Sequence, residues 1–132
     1  MGKFQNVDEA REYFKGDRFA MVNGMTIDEL TDGGCICSMA IREDHRNAIG
    51  GVMGGVLFTL ADFAFAVAAN QNHHPTVALD VNINFLSASK GTRLIAHTEC
   101  VKDGKTTCVY QTEIMDDLGR KVALVTGTGY KL

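Results

Sequence analysis

The order of apolar and polar residues divides the chain into short elements, of which the first is a helix. From residue 8 to about residue 19 the apolar residues recur at helical spacing, and two acidic residues at the start suit a first helical turn. Residues 25–30 and 35–41 have the pattern of strands on either side of a glycine turn. These patterns predict a short amphipathic N-terminal helix followed by a β-hairpin.

The most apolar segment lies in the middle of the chain, directly after a glycine-rich loop at residues 50–55. Residues 56–69 are long enough for a helix, rich in alanine and apolar on almost every side. This composition predicts a helix that is buried all round, unlike a surface helix with a single apolar stripe.

Four later segments have the composition of strands. They cover residues 76–86, 93–102, 106–115 and 121–130, and a strong Asp-Gly hairpin signal separates the second from the third. With the earlier elements they predict an α+β fold, in which an antiparallel six-stranded sheet wraps around a long central helix. Because no repeat or linker interrupts the pattern, residues 1–132 are expected to form a single domain.

Composition and charge exclude several classes of protein. The 132 residues are 45% hydrophobic and 22% charged, which is typical of a globular domain and not of a disordered chain. Thirteen basic against sixteen acidic residues give a net charge of −3, which argues against a nucleic-acid partner. No signal-like apolar run follows Met1, and residues 56–69 are too short to span a bilayer. We therefore expect a cytoplasmic protein without a membrane partner.

The cysteines and histidines do not have the spacing of a metal site. The four cysteines form no C-x-x-C pair, and Cys35 and Cys37 alternate along a strand as two buried residues of one face would. His73 and His74 precede the single proline and are interpreted as part of a polar loop. The sequence predicts neither a metal nor a cofactor.

Asp62 is the most informative residue, because it interrupts the apolar helix. An ionised carboxylate removed from water is costly unless it is paired, so Asp62 either meets an arginine or caps a structural element, or else it has a chemical role. Before it, Gly54 and Gly55 present backbone N–H groups at a helix start, where negative charge is favoured. These amides are a candidate oxyanion site, and Asp62 is a candidate general base or nucleophile.

The spacing of these groups predicts a site that two chains share. Asp62 lies seven residues after Gly55, roughly 10 Å along the same helix at about 1.5 Å per residue. One chain therefore does not readily bring both groups to one carbonyl. Two helices packed antiparallel about a twofold axis would do so, and would create two equivalent sites at a dimer interface.

Several neighbouring residues allow two interpretations. Asn47 lies just before the glycine loop and either orients water or substrate through its amide or is only a turn residue. His45, two residues before Asn47, either assists the site as a second acid or base or, in the favoured interpretation, is part of a solvated loop. The helix phenylalanines Phe58, Phe63 and Phe65 are interpreted mainly as core residues, since they bury so much area.

One motif consists of Asn47-Ala48-Ile49-Gly50-Gly51-Val52-Met53-Gly54-Gly55, followed by Asp62. It resembles the motif of the hotdog-fold acyl-CoA thioesterases, in particular the phenylacetic-acid-degradation branch. In that family the pattern is an Asn, a Gly three residues later, a His-Gly-Gly, and an Asp or Glu one to two helical turns further on. The element order of nearly the whole chain is also similar to that of the hotdog fold.

The resemblance implies roles for these residues. Asp62 would activate water or attack the thioester, the Gly54 amide, alone or with that of Gly55, would hold the carbonyl oxygen, and Asn47 would place water or substrate. It further implies an acyl-CoA substrate, a homodimer with a continuous sheet, pairing of dimers into a homotetramer, and a pantetheine arm that enters between subunits.

Two residues depart from the family pattern. Met53 replaces the usual His before the two glycines, and is interpreted as an apolar residue beside an acyl tunnel. Ala78 occupies a strand position where several relatives carry Ser or Thr. Both are predicted to lie at the substrate, and either change would slow hydrolysis or alter the class of substrate.

Three functions follow from these observations. The leading hypothesis is an acyl-CoA thioesterase that uses Asp62, Asn47, Gly54 and Gly55. The missing His and hydroxyl favour a second hypothesis, a non-hydrolytic module that binds acyl-CoA or an acyl carrier. A hydratase of the same fold would require an acid and a base, commonly Asp with His, and no His follows in the helix.

Overall fold

In the computed structural model, which describes residues 4–132, three helices and one six-stranded antiparallel sheet form the fold. The helices are α1 (Val7–Phe14), α2 (Arg18–Val22) and α3 (Gly54–Asn72). The strands are β1 (Thr26–Thr31), β2 (Gly34–Ala40), β3 (Thr76–Phe85), β4 (Arg93–Asp103), β5 (Thr107–Asp116) and β6 (Lys121–Lys131). The strands lie in the order β1-β2-β4-β5-β6-β3, so β1 and β3 form the two edges. The predicted architecture is confirmed.

The N-terminal segment differs from the single helix expected over residues 8–19. It forms α1 and α2, with Gly16 and Asp17 between them. The amides of these two residues donate to the carbonyls of Tyr13 and Phe14, which closes the end of α1 before α2 begins. A glycine followed by an aspartate is a helix-stop and helix-start signal, and the apolar periodicity alone concealed it.

Helix α3 packs against the concave face of the sheet through its buried side chains. Phe63 and Phe65 are 2% and 4% exposed, which confirms them as core residues. The ring of Phe65 packs against the backbone of β6 at Gly127 and Gly129. A Cβ atom added at Gly129 would lie 2.8 Å from this ring, and one added at Gly127 would lie 3.1 Å from it. The two glycines therefore make the space in which the ring lies. Its edge-to-face contact with Tyr110, at a centroid distance of 5.5 Å, completes this layer.

The opposite side of α3 is open, so the prediction that this helix is buried all round is wrong for the single chain. Gly55, Phe58 and Asp62 are exposed, and Thr59 and Ala66 are half-buried. These five positions recur at helical spacing and form one stripe, which we call the open stripe. It exists because one curled sheet covers only part of the circumference of the helix, while the apolar composition extends around it.

The two edges of the sheet are protected to different degrees. Strand β1 has six residues and a register shift between Ile27 and Glu29, and Arg11 Nε of α1 donates to the Ile27 carbonyl at 2.9 Å. Strand β3 has ten residues and exposes Leu79 at 60% and Phe85 at 59%. Because β3 also has a register shift, between Ala78 and Asp80, the two edges differ in length and in cover. A short, covered edge resists pairing with another chain, whereas a long edge with exposed apolar side chains invites it.

The cysteines of β2 agree with the sequence expectation for this strand. Cys35 and Cys37 are both fully buried on one face of β2, with their sulfur atoms 3.8 Å apart. Within residues 4–132 no cluster of three or more His, Cys, Asp or Glu side chains is arranged to hold a metal ion. In the same part of the chain, no helix has both the length and the apolar character needed to cross a membrane.

Asp116 holds together the loops at the end of β5. Its side chain is 2% exposed. One carboxylate oxygen accepts from the Lys90 amide at 2.9 Å and from Ser89 Oγ at 3.2 Å, and the other accepts from the amides of Leu118 and Arg120, both at 3.0 Å. These hydrogen bonds, led by the one from Lys90, lower the pKa of Asp116 to about 2. The charged form is therefore favoured by folding.

Replacing Asp116 by Asn is expected to lower the melting temperature at pH 7 by at least about 5 °C, because the amide has only one acceptor oxygen. A carboxyl group with a lowered pKa stabilises the fold above its unfolded pKa of about 4, and this contribution is lost as the pH falls towards about 2. Thermal melts across this range should therefore converge at low pH. Asp32→Asn, in the exposed β1–β2 turn, is the control, and a difference that persists at pH 2 would contradict the assignment.

Candidate active site

The start of α3 leaves backbone donors unused. Met53 precedes the helix with extended backbone angles of −63° and 136°, and its side chain caps no amide. The Val56 amide donates to the Met53 carbonyl at 2.9 Å, whereas within residues 4–132 the amides of Gly54 and Gly55 donate to no backbone or side-chain acceptor. Two free N–H groups at a helix N-terminus attract an anion or a partly negative oxygen.

The two glycines differ in their surroundings. A Cβ atom at Gly54 would lie 3.0 and 3.1 Å from two atoms of the Phe85 ring, so Gly54 is packed against the β3 side of the fold. At Gly55 a Cβ atom would meet only Met53 Cε, at 3.7 Å. Gly55 therefore lies on the open stripe, and Gly54 lies beside it under the ring.

Asn47 closes the glycine loop that leads into α3. Its side-chain Oδ1 accepts from the backbone amides of Ile49 and Gly51 at 3.1 and 3.0 Å. The backbone amide of Asn47 donates to the Gly51 carbonyl at 2.7 Å. The side-chain oxygen of Asn47 therefore has the role of a turn residue, as one of the two interpretations predicts. Its side-chain NH₂ group is exposed and has no acceptor in the described part of the chain, so it is free to donate to a ligand.

Asp62 lies on the open stripe, roughly 10 Å along α3 from Gly55 at about 1.5 Å per residue. Within residues 4–132 no cation or hydrogen-bond donor contributes to its ionisation, so the structural alternative of an arginine partner is not observed there. The side chain of Asp62 is exposed in the single chain, but the protein atoms around its carboxyl group displace part of the surrounding water. This partial burial raises the pKa of Asp62 above its ordinary value, and the Asp17 carboxylate raises the pKa further. A carboxylate in this state is a stronger base than one in water.

His45 does not lie in a solvated loop, and that prediction is wrong. The ring is 2% exposed. Its Nδ1 accepts from the Arg42 amide at 2.9 Å, so the neutral ring donates through Nε2 to Asn23 Oδ1 at 3.1 Å. Burial, followed by the charge of Arg42, lowers the pKa of His45, which therefore stays neutral near pH 7. Its carbonyl accepts from the Met53 amide at 2.9 Å and so fixes the residue before α3.

The two residues that depart from the resemblance lie on different elements. Met53 is 55% exposed and lines a cleft of about 290 Å³ beside the first two turns of α3. Ala78 is exposed on the edge strand β3, where it pairs with Gly129 of β6. The structure therefore brings Met53, Gly54 and Gly55 together in one chain, with Asn47 in the preceding loop and Asp62 two helical turns away.

Sequence reasoning missed three residues around this site. Asp17 and Phe19 come from the α1–α2 segment, and Asn23 follows α2. Asp17 acts on Asp62 through its charge, while Phe19 and Asn23 line the same cleft as Met53. The Gly16-Asp17 break was the available signal, since a second short helix turns the chain back towards α3.

Comparison with known proteins identifies the family. The sequence model of the thioesterase superfamily matches residues 49–123. The acyl-coenzyme A thioesterase PaaI of Escherichia coli is 32% identical over 124 residues, which cover 93% of this chain and 89% of that protein. The chain belongs to the thioesterase superfamily. Human acyl-coenzyme A thioesterase 13 is 34% identical to this thioesterase over 96 residues, 70% of this chain and 69% of its own.

Solved structures agree with this assignment. The E. coli PaaI structure superposes with a TM-score of 0.88 at 31% identity, covering 93% of this thioesterase and 90% of PaaI. A hypothetical thioesterase protein from Streptococcus pneumoniae, solved with coenzyme A, gives a TM-score of 0.81 at 30% identity, and the match covers 89% of this chain and 94% of that protein. The hotdog fold of the PaaI type and the enzyme class of thioester hydrolases, both predicted from the sequence, are confirmed.

Replacing Asp17 by Asn is expected to lower the pKa of Asp62, because the change removes a like charge and leaves burial as the remaining cause of the increase. Titration of the Asp62 carboxyl carbon by NMR measures this directly, without reference to activity. Asp28→Asn, an exposed change on β1, serves as the control. If both variants titrate like the wild type, the Asp17 charge does not act on Asp62.

Proposed function

We propose that this thioesterase hydrolyses acyl-CoA to the free acid and coenzyme A at two equivalent sites, each formed by two protomers of a homodimer. One observation carries the proposal. The free Gly55 amide and the unpaired Asp62 carboxylate, whose pKa is raised, both lie on the open stripe of α3, with the free Gly54 amide beside it, and the carboxylate is too far from either amide to meet it within one chain.

The relatives support the class of substrate. The E. coli and human proteins are both named acyl-coenzyme A thioesterases, and the S. pneumoniae relative was solved with coenzyme A. A thioester carbonyl also suits the geometry, because its oxygen gains negative charge as water adds to the carbon, and two N–H donors stabilise that charge.

In the proposed reaction the thioester carbonyl oxygen accepts from the amides of Gly54 and Gly55. Asp62 of the other protomer takes a proton from water, and the hydroxide adds to the carbonyl carbon to give a tetrahedral intermediate. The carbon–sulfur bond then breaks, the thiolate of coenzyme A leaves and takes up a proton, and the acid is released. Direct attack by the Asp62 carboxylate, followed by hydrolysis of the anhydride, uses the same groups.

The remaining predicted residues have supporting roles in this scheme. The free NH₂ group of Asn47 donates to the attacking water or to the substrate. Met53 contacts the acyl group beside the helix start, and Ala78 lies at the position where a hydroxyl would add a further polar contact. The wild-type rate decides between this function and the non-hydrolytic binding module, which the loss of the His at position 53 favours.

Two features support the homodimer. The long apolar edge of β3 offers a strand for pairing with a second copy, which would make the sheet continuous. An antiparallel twofold arrangement of two α3 helices would then bring Asp62 of each protomer to the helix start of the other, and would cover the open stripe. Pairing of such dimers into a tetramer stays a prediction of the family resemblance.

Replacing Asp62 by Asn is expected to lower kcat for acyl-CoA hydrolysis by about 100-fold to 10,000-fold, because the amide cannot accept the proton of water. Release of coenzyme A thiol measures the rate, and size-exclusion chromatography checks that the dimer persists. In the wild type the rate should fall as the pH drops through the raised pKa of Asp62. Asp28→Asn is the control, and a D62N rate within twofold of the wild type would refute the mechanism.

Mixed dimers test whether the two protomers share each site. Gly54→Pro removes one oxyanion donor, and the extended backbone of Met53 suits a following proline. Gly54→Ala adds the same Cβ atom beside Phe85 but keeps the N–H group, so it is the matched control. We expect G54P to lose about 100-fold to 1,000-fold in kcat relative to G54A.

Neither D62N nor G54P alone has an intact site, but a dimer of one D62N and one G54P protomer has one. Random mixing from the unfolded state should therefore restore about a quarter of the wild-type rate, since half of the dimers are mixed and each has one intact site. If the mixture stays as slow as its components, Asp62 and Gly54 do not act across an interface.

A further inference from the structure

A second cleft lies beside the proposed site, on the side of α3 that faces the N-terminal helices. Its lining combines Phe19 of α2 and Met25 with Met53, Gly55, Val56 and Thr59 at the start of α3. We call it the α2 cleft. Its volume is about 290 Å³, and Phe19 and Met25 lie outside residues 49–123, the part of the chain that the superfamily model matches.

The rim of the α2 cleft exposes large apolar side chains. Phe19 is 66% exposed and Met53 is 55% exposed, while Met25 at 3% belongs to the core below them. Two large, exposed apolar side chains that line one concave surface are unfavourable in water, and such patches mark binding sites.

The polar groups of the α2 cleft are already paired. His45 donates to Asn23 Oδ1 and accepts from the Arg42 amide, and Thr59 Oγ1 donates to the Gly55 carbonyl at 2.8 Å. The Asp44 carboxylate at the margin forms two hydrogen bonds with the Arg42 guanidinium, at 3.0 and 3.1 Å. Among residues 4–132 the lining therefore presents no unpaired charge, which favours an uncharged ligand.

The α2 cleft is continuous with the helix start. Gly55 and Met53 line it, and the Gly55 amide is one of the two free donors. A thioester whose carbonyl oxygen accepts from this amide would therefore lie at the mouth of the cleft. The other cavity at the helix start, of about 340 Å³, is lined by Gly54 and by Phe85 and Leu86 at the β3 edge, and so lies next to the proposed dimer interface.

We propose that the α2 cleft binds the acyl group of the substrate, that this group is uncharged and apolar with about ten carbon atoms at most, and that Phe19 sets its size. The inference rests on the proposed function. The size follows from volume, because a cavity of about 150 Å³ holds benzene and this cleft is about twice as large. Phe19 limits the length because it is the aromatic side chain at the rim.

The test compares saturated acyl-CoA substrates from acetyl to palmitoyl. The wild type should have its highest kcat/KM at about eight to ten carbons. Phe19→Ala opens the rim and should raise kcat/KM for palmitoyl-CoA relative to octanoyl-CoA about tenfold, whereas Phe19→Trp should move the optimum to shorter chains. Val22→Ala is the matched control, since Val22 belongs to the same helix, is 71% exposed and does not line the cleft.

A binding measurement separates this inference from the proposed reaction. Calorimetry with thioether analogues of the same acyl-CoA series reports chain-length preference without hydrolysis, and thermal melts check that each variant is folded. If the wild type hydrolyses nothing but F19A still binds long chains better than V22A does, the proposed function fails and the acyl site stands. If F19A and V22A show the same chain-length profile in both assays, the inference is overturned.

Discussion

A curled sheet can cover only one side of the central helix, and the rest of the structure depends on this constraint. Helix α3 has apolar residues around nearly its whole circumference, yet Gly55, Phe58 and Asp62 lie outside the cover that the six strands provide. In water such a surface is unfavourable. In the homodimer that we propose, a second copy covers this surface and extends the sheet at the exposed edge of β3.

Because α3 is rigid, the distance between Asp62 and the free amides at the start of the helix is fixed within one chain. Each residue advances an α-helix by about 1.5 Å, so no rearrangement of side chains brings Asp62 to the free amides of its own helix. Burial and the charge of Asp17 already raise the pKa of the carboxyl in the single chain. In the proposed homodimer, the partner that covers the stripe would remove more water and favour the neutral form further, whereas its free N–H groups, aimed at the carbonyl oxygen, would favour negative charge on the substrate. The same contact would therefore strengthen both the base and the electrophile.

Local patterns were sufficient for the sheet and insufficient for the helices. Each strand is a short run of β-forming residues bounded by turn residues such as Asp103-Gly104, so sequence alone placed all six to within a residue or two. The motif from Asn47 to Asp62 also indicates a candidate site, whose catalytic role stays a prediction. However, hydrophobic periodicity does not show which side of a helix the rest of the chain covers. Both the side of α3 that packs against the sheet and the side that is exposed are mainly apolar, so composition does not distinguish them. His45 was misplaced for a related reason, since its partners Arg42 and Asn23 pair with it only after the chain folds.

Met53 precedes α3 but does not stabilise the start of the helix through its side chain. A Ser, Thr, Asp or Asn before a helix usually accepts from an amide of the first turn and contributes about 0.5–2 kcal/mol to stability. The thioether of Met53 caps no amide here, so this contribution is absent and the Gly55 amide stays unpaired. The backbone of Met53 is fixed instead by the His45 carbonyl, which leaves its side chain at the rim of the α2 cleft. Met53, which stands where the family pattern has His, thus leaves the Gly55 amide free and places an apolar side chain beside it.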